Sequence, residues 1–294
     1  MLAAGDGHSL HVVDWGNAKS KTKVIFLHGG PGSSVKDKHK AAFNPERHHV
    51  IFFDQRGAGA SAPTGSLKHN TTQDLIEDIS KIAKKSGFTS FYLHGSSWGS
   101  TLALAYALEY PKKVRGLIIG GIFTGSRAES DWIDNGMFRS FYPDVWQAYL
   151  ERTPEKYRDN PTAYHFDKAL NGTATERKVS SYAYECLEAG VIKLDDRFTP
   201  DDFDEYDASK MQIEIHYLAN KCFMLDRHIL DNAHTLKMPI WIVQGRYDVV
   251  CPPSTAYELH HKAPNSKIYW TVAGHAHEHE GENVFRAIFE GIAE

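Results

Sequence analysis

The segment Gly95-Ser96-Ser97-Trp98-Gly99 sets a serine between two glycines, directly after the apolar run Phe91-Tyr92-Leu93 and before Thr101-Leu102-Ala103-Leu104-Ala105. A G-x-S-x-G sequence at a strand-to-helix junction is the setting in which a serine rides a sharp, strained turn with its hydroxyl exposed. The glycines are needed because a Cβ on either side would hold the strand and the helix apart. A serine hydroxyl is a poor nucleophile until a base takes its proton, and that base needs a third group to orient it. Both are available downstream. Asp248 ends Gln244-Gly245-Arg246-Tyr247-Asp248, a loop that follows the apolar run Pro239-Ile240-Trp241-Ile242-Val243. His275 ends Ala273-Gly274-His275, after a strand-like run over residues 266–272. The spacing predicts Ser97 as nucleophile, His275 as base and Asp248 as the carboxylate that orients it.

Attack on a carbonyl also creates an oxyanion, and losing one donor aimed at it typically costs about a hundred- to a thousandfold in rate. The strand-like Val24-Ile25-Phe26-Leu27 runs into His28-Gly29-Gly30-Pro31-Gly32, a glycine-rich loop placed to supply one such donor. The expected donors are the backbone N–H groups of Gly30 and Trp98. A phosphate-cradling loop would need G-x-G-x-x-G spacing or a P-loop lysine with serine or threonine, and neither is present. His275-Ala276-His277-Glu278-His279-Glu280 has the H-x-H spacing of a metal site, but His275 is already engaged and further ligands are not evident. Neither a metal nor a cofactor is expected.

Short apolar or β-branched runs over residues 24–27, 50–53, 91–93, 114–119, 240–243 and 268–272 read as strands, with weak alternation over 10–13. Helical patterns cover 73–85, capped by Thr71 or Thr72, then 101–109 before Pro111, 254–262 and 282–292. Continuous apolar strands separated by helices argue an α/β fold, with a mostly parallel central sheet covered by helices on both faces. From about Thr124 to Leu236 the pattern turns helical, aromatic and charged, with Trp132, Phe138, Tyr142, Trp146, Tyr149, Tyr157 and Tyr164. The expected organisation is a core of residues 1–123 and 236–294 with a helical lid inserted at 124–235.

The 294 residues suffice for a sizeable core, and 41% hydrophobic with 24% charged residues describes an ordinary globular chain. A net charge of −4 offers no basic field for nucleic acid. Cys186, Cys222 and Cys251 are odd in number and lack C-x-x-C spacing, so neither a disulfide framework nor a cysteine metal site follows. Cys251, three residues after Asp248, is expected near the active site or in the core. No signal peptide or membrane span is read from the sequence, and a cytoplasmic location is expected.

Five ordered blocks then carry a resemblance. His28-Gly29-Gly30-Pro31-Gly32, Asp54-Gln55-Arg56-Gly57-Ala58-Gly59, Asn70-Thr71-Thr72 with Asp74-Leu75, Gly95 to Ala103, and Gly245-Arg246-Tyr247-Asp248 resemble the prolyl aminopeptidase (proline iminopeptidase) family of α/β-hydrolases. The chain order Ser97, Asp248, His275 is also that of α/β-hydrolases. The resemblance implies release of an N-terminal residue, preferentially proline, from a short peptide or amino-acid amide with a free N-terminus. It implies two lid glutamates for the substrate's amine: Glu214 within Ile213-Glu214-Ile215-His216-Tyr217, and Glu185 in Tyr184-Glu185. Phe123 matches a residue that would pack against a proline ring. The chain departs from the family at Leu218, Tyr184 and Gly120. These departures keep open a small-molecule esterase, amidase or lactonase, and the fold alone would also allow a non-catalytic ligand receptor.

Overall fold

Residues 24–27 and 50–53 are apolar at every position because the strands they form are covered on both faces. A computed structural model of the chain describes residues 1–194 and 202–292, without the side chains of Glu278 and His279. A hairpin of β1 (Leu2–Gly5) and β2 (His8–Leu10) precedes a seven-stranded sheet. The sheet is built from β3 (Val12–Gly16), β4 (Thr22–Leu27), β5 (His48–Phe53), β6 (Phe91–Ser97), β7 (Val114–Ile122), β8 (Ile240–Gly245) and β9 (Ser266–Thr271). Their order is β3-β5-β4-β6-β7-β8-β9; β3 is antiparallel to β5 and every other pairing is parallel. The hairpin lay outside the sequence expectation, and β3 runs three residues past the alternation at 10–13.

Side chains alternate across the sheet, so each strand feeds two cores. Ile25, Leu27, Ile51, Phe53, Leu93 and Ile119 pack on one face. That face is covered by α1 (Thr72–Lys85), α2 (Trp98–Glu109) and α9 (Pro253–Lys262). Val24, Phe26, Val50, Phe52 and Ile118 pack on the other, under Phe285, Ile288 and Phe289 of α10 (Glu278–Ile292). Helix α1 starts where a capping box allows it: Thr71 N donates to Asp74 Oδ2 at 3.0 Å and Asp74 N donates to Thr71 Oγ1 at 3.3 Å. The first turn of α10 begins at Glu278, four residues before its apolar periodicity becomes legible.

Between β7 and β8 lie α3 (Arg127–Asp134), α4 (Pro143–Glu151), α5 (Pro161–Asn171), α6 (Ala174–Ala189), α7 (Ser209–Ala219) and α8 (His228–Asn232). The aromatics of this stretch mostly pack on one another. Phe138, Tyr149 and Tyr184 are buried with Leu187, Met211 and Ile215, while Trp132, Tyr142 and Trp146 flank them. Among the described residues no helix is long and apolar enough to cross a membrane.

Candidate active site

Ser97 is the last residue of β6 and the residue before α2, and it holds φ 58° and ψ −129°. A non-glycine residue in the positive-φ region is strained by about 1–3 kcal/mol, and such strain persists only where the surroundings fix it. Two glycines allow it here. A Cβ on Gly95 would lie 2.7 Å from the Leu27 carbonyl oxygen, and one on Gly99 would lie 2.2 Å from the same atom. The elbow closes over β4 only because neither residue has a side chain.

His275 follows β9, and its Nδ1 lies 2.9 Å from Asp248 Oδ2. Because a carboxylate oxygen accepts, Nδ1 carries the proton and Nε2 is left as the basic nitrogen. Asp248 is 2% exposed and fully engaged: Oδ1 accepts from the N–H groups of Val250 and Cys251 at 3.0 and 2.8 Å, and Oδ2 also accepts from Gln244 Nε2 at 3.1 Å. Gln244 is itself fixed, since its Oε1 accepts the Ile122 N–H at 2.9 Å. Trp132 Nε1 ties α3 to this loop through the Val249 carbonyl at 2.8 Å. Cys251 lines one cavity with Ser97 and hydrogen-bonds to it, and burial pushes its thiol well up. Asp248, Cys251 and His275 offer metal-type atoms within 4.8 Å of one another. Asp248 and His275 are spent on each other and the thiol holds its proton, so this donor set fits a proton relay better than a cation.

The loop opposite Ser97 is built by the two motifs around it. His28 Nδ1 donates to the Gly29 carbonyl at 2.9 Å, so its Nε2 is free to accept the Gln55 N–H, also at 2.9 Å. Gln55 Nε2 returns a bond to the His28 carbonyl, and its Oε1 accepts Trp98 Nε1, both at 2.9 Å. Burial lowers the pKa of His28 and keeps the ring neutral, as these bonds require. Gly30, at φ 103°, therefore stands beside Ser97 in both cavities that contain it and Glu214. Trp98 opens α2, where helix geometry leaves the first N–H groups without an intrahelical acceptor. Asp54 holds the same loop from below by accepting Val35 N at 2.7 Å and Ala60 N at 2.9 Å. Arg56 makes a buried bidentate pair with Asp78, Nε to Oδ2 at 2.6 Å and Nη2 to Oδ1 at 2.8 Å. Breaking such a pair costs about 3–5 kcal/mol.

Above Ser97 a cavity of about 60 Å³ is walled by Phe123, Ile133, Phe166, Tyr184 and Leu218, and closed by Glu188 and Glu214. It opens through a mouth of about 200 Å³ that Ser97, His275, Glu188, Glu214 and Lys210 share. Glu188, on α6, and Glu214, on α7, hydrogen-bond to one another. Burial pushes the Glu188 carboxyl up to about 7, opposed by Lys210. Glu214 is pushed up further, by burial and then by Glu188 itself. Two hydrogen-bonded carboxyls favour a proton between them, and a cation beside them, as Lys210 is here, opposes it.

The structure brings Ser97, Asp248, His275, Gly30, Trp98, Phe123 and Glu214 to one place. Glu185 stands one step back: its carboxylate takes Lys210 Nζ at 2.8 Å and it does not line the Ser97 cavities, but its charge acts on both Glu188 and Glu214. Glu188 lines both Ser97 cavities with Glu214, and sequence reasoning missed it; Glu129 lines the smaller one, held by Thr124 and Ser126. Helical phase was the available signal, because Glu188 is one turn beyond Tyr184 and shares its face, whereas Glu185 is turned by about 100°. Glu214 is set in place by the Asn70 motif. Asn70 Oδ1 accepts Tyr217 Oη at 2.8 Å and its carbonyl lies 3.1 Å from His216 Nε2, which seats α7 on the core. Of the family departures, Tyr184 and Leu218 line the cavity. Gly120 does not, since a Cβ there would meet Val243, Phe285 and His277 on the far side of β7. His277 makes no hydrogen bond to Asp248 and packs against Gly120 and Gly281. The His279 side chain lies outside the described residues.

The alpha/beta hydrolase fold family matches residues 22–279. The chain is 35% identical to a proline iminopeptidase of Arabidopsis thaliana over 95% of its length and 75% of that protein's. It is 36% identical to one of Xylella fastidiosa (strain Temecula1 / ATCC 700964), over 94% and 90%. Among solved structures, a proline iminopeptidase of Mycobacterium smegmatis superposes with a TM-score of 0.63 at 19% identity, over 97% of this chain and 93% of that one. An esterase of Exiguobacterium antarcticum gives 0.64 at 20% identity, over 97% and 96%. At those identities the two structures speak for the fold, and the sequence relatives speak for the family. The chain is a hydrolase that belongs to the proline iminopeptidase family of α/β-hydrolases.

Proposed function

We propose that this protein is a serine aminopeptidase that releases the N-terminal residue, preferentially proline, from short peptides and amino-acid amides with a free amine. The observation that carries the reading is the pair Glu188 and Glu214, facing Ser97 within one cavity. An ammonium one residue from the scissile bond satisfies both carboxyls and displaces their shared proton, whereas a neutral ester leaves them as they are. The small chamber beside Phe123, which Glu129 and Asp134 also line, has room for a compact ring rather than an extended side chain.

In the proposed cycle His275 Nε2 takes the Ser97 proton as Oγ attacks the carbonyl carbon of the N-terminal residue. The N–H groups of Gly30 and Trp98 hold the oxyanion. His275 then gives the proton to the departing nitrogen, and the C–N bond breaks. A water, deprotonated by His275, hydrolyses the ester on Ser97 and restores the hydroxyl. The segment 124–235 acts as the lid, since it contributes both glutamates and most of the apolar wall.

Glu214→Gln tests the assignment. Hydrogen bonds to charged groups contribute about 1.5–3 kcal/mol, so kcat/KM for a free-amine arylamide should fall roughly 10- to 150-fold. An acetate ester that has no amine should lose far less. Equal losses on the two substrates would mean that the glutamate supports the fold and does not bind the amine.

A further inference from the structure

A second cavity, of about 240 Å³, shares Ser97 and His275 with the acidic mouth but contains neither Glu188 nor Glu214. It lies between the short 3-10 helix Asp37–Ala42 and the start of α10. Its walls are the rings of Phe26, His39, His94, His277 and Phe285, with Lys38 and Glu282 also contributing. The size admits one amino-acid side chain and little more.

His277 is the residue that the chemistry described above leaves unexplained. It is 6% exposed, sits at φ 63°, and neither ring nitrogen has a hydrogen-bond partner. The fold makes space for it at two glycines: a Cβ on Gly120 would lie 2.8 Å from its Cε1, and one on Gly281 would lie 2.6 Å from its Cβ. A buried polar group left unpaired costs about 1–3 kcal/mol, a cost that the backbone amide of a bound residue would remove and its hydrocarbon side chain would not.

The other two imidazoles have assigned polarity. His94 Nδ1 donates to the Ile118 carbonyl at 2.8 Å, which leaves Nε2 an acceptor. His39 Nδ1 accepts from Lys36 N at 3.0 Å, which leaves Nε2 a donor. Burial pushes His39, His94 and His277 down to about 4, so all are neutral near pH 7. The chamber therefore offers aromatic walls and uncharged imidazole donors and acceptors, with one exposed residue of each charge, Lys38 and Glu282, at its edge.

Both cavities meet at the two groups that touch the scissile bond, and only one of them can hold the substrate's ammonium. We infer that the histidine-lined cavity receives the residue after the scissile bond, and that it selects an aromatic or aliphatic side chain there over glycine or a charged residue. This assignment rests on the aminopeptidase reading.

The test uses the full chain and the dipeptide amides Pro-Gly, Pro-Phe and Pro-Glu, with N-acetyl-Pro-Phe amide as control. Proline release from Pro-Phe amide should exceed that from Pro-Gly and Pro-Glu amides by about tenfold or more in kcat/KM, the scale of filling an apolar subsite. Ala42→Phe, which fills the chamber from the 3-10 helix, should bring the Phe-to-Gly ratio to within about twofold of unity. If that variant does not fold, the readout is the Ser97→Ala protein titrated with phenylalaninamide. Ring 15N signals of His277 and His94 should shift, and unmoved signals would overturn the assignment. A flat wild-type series with the free amine still required would overturn the chamber alone. Equal cleavage of the acetylated control would sink the aminopeptidase reading and the chamber with it.

Discussion

Ser97→Ala should lower kcat by on the order of a millionfold, the loss seen when the nucleophile of a comparable serine hydrolase is removed. The expectation follows from how completely the fold is organised around that one hydroxyl. A strained backbone at φ 58°, two glycines in contact range of the Leu27 carbonyl, and the Gln55 bridge between the His28 loop and Trp98 all serve to present Oγ at the cavity floor. Alanine keeps the Cβ and the backbone geometry, so the melting temperature should stay near that of the wild type. Single-turnover assays with a proline arylamide separate the chemical step from binding. Substantial retained turnover would mean that another group attacks the carbonyl.

Asp248→Asn should cost roughly ten-thousandfold in kcat, by inverting the tautomer of the base. Oδ1 accepts two backbone N–H groups, so an asparagine would keep its carbonyl oxygen there and place its amide where Oδ2 now stands. That amide would donate to His275 Nδ1 and force the proton onto Nε2, the nitrogen that must accept from Ser97. It would also face Gln244 Nε2, and Gln244 cannot rotate without losing its bond to the Ile122 N–H. A loss of about 1–3 kcal/mol in stability should therefore accompany the kinetic defect. Activity within tenfold of wild type, with fold retained, would show that Asp248 does not set the tautomer.

The core strands, their mostly parallel arrangement and the elbow were legible because each leaves a local mark: apolar runs of three to six residues, a glycine on each side of a serine, a threonine cap. The motif blocks were legible as a resemblance, and the structure supplies their physical meaning. Gln55 stitches two loops, Arg56 pins one of them to Asp78, and Asn70 seats α7. What the sequence hid was direction. Glu185 and Glu188 lie on the same helix and differ only in phase, and the phase acquires meaning once Tyr184 is known to face the cavity. The first turn of α10 was hidden for a similar reason, since its polar residues 278–281 show no apolar period. His277 read as half of an H-x-H pair, yet its backbone turns into the left-handed region, and the ring packs against Gly120 and Gly281 without a hydrogen bond to Asp248.

The central claim is that a free amine beside the scissile bond is recognised by Glu188 and Glu214. The most direct measurement compares kcat/KM for a proline arylamide with that for its N-acetylated form at fixed pH. A site whose buried carboxyls are left without their cation should reject the acetylated substrate by at least about a thousandfold. Equal rates would contradict the claim and make the protein a general esterase or amidase of the same fold.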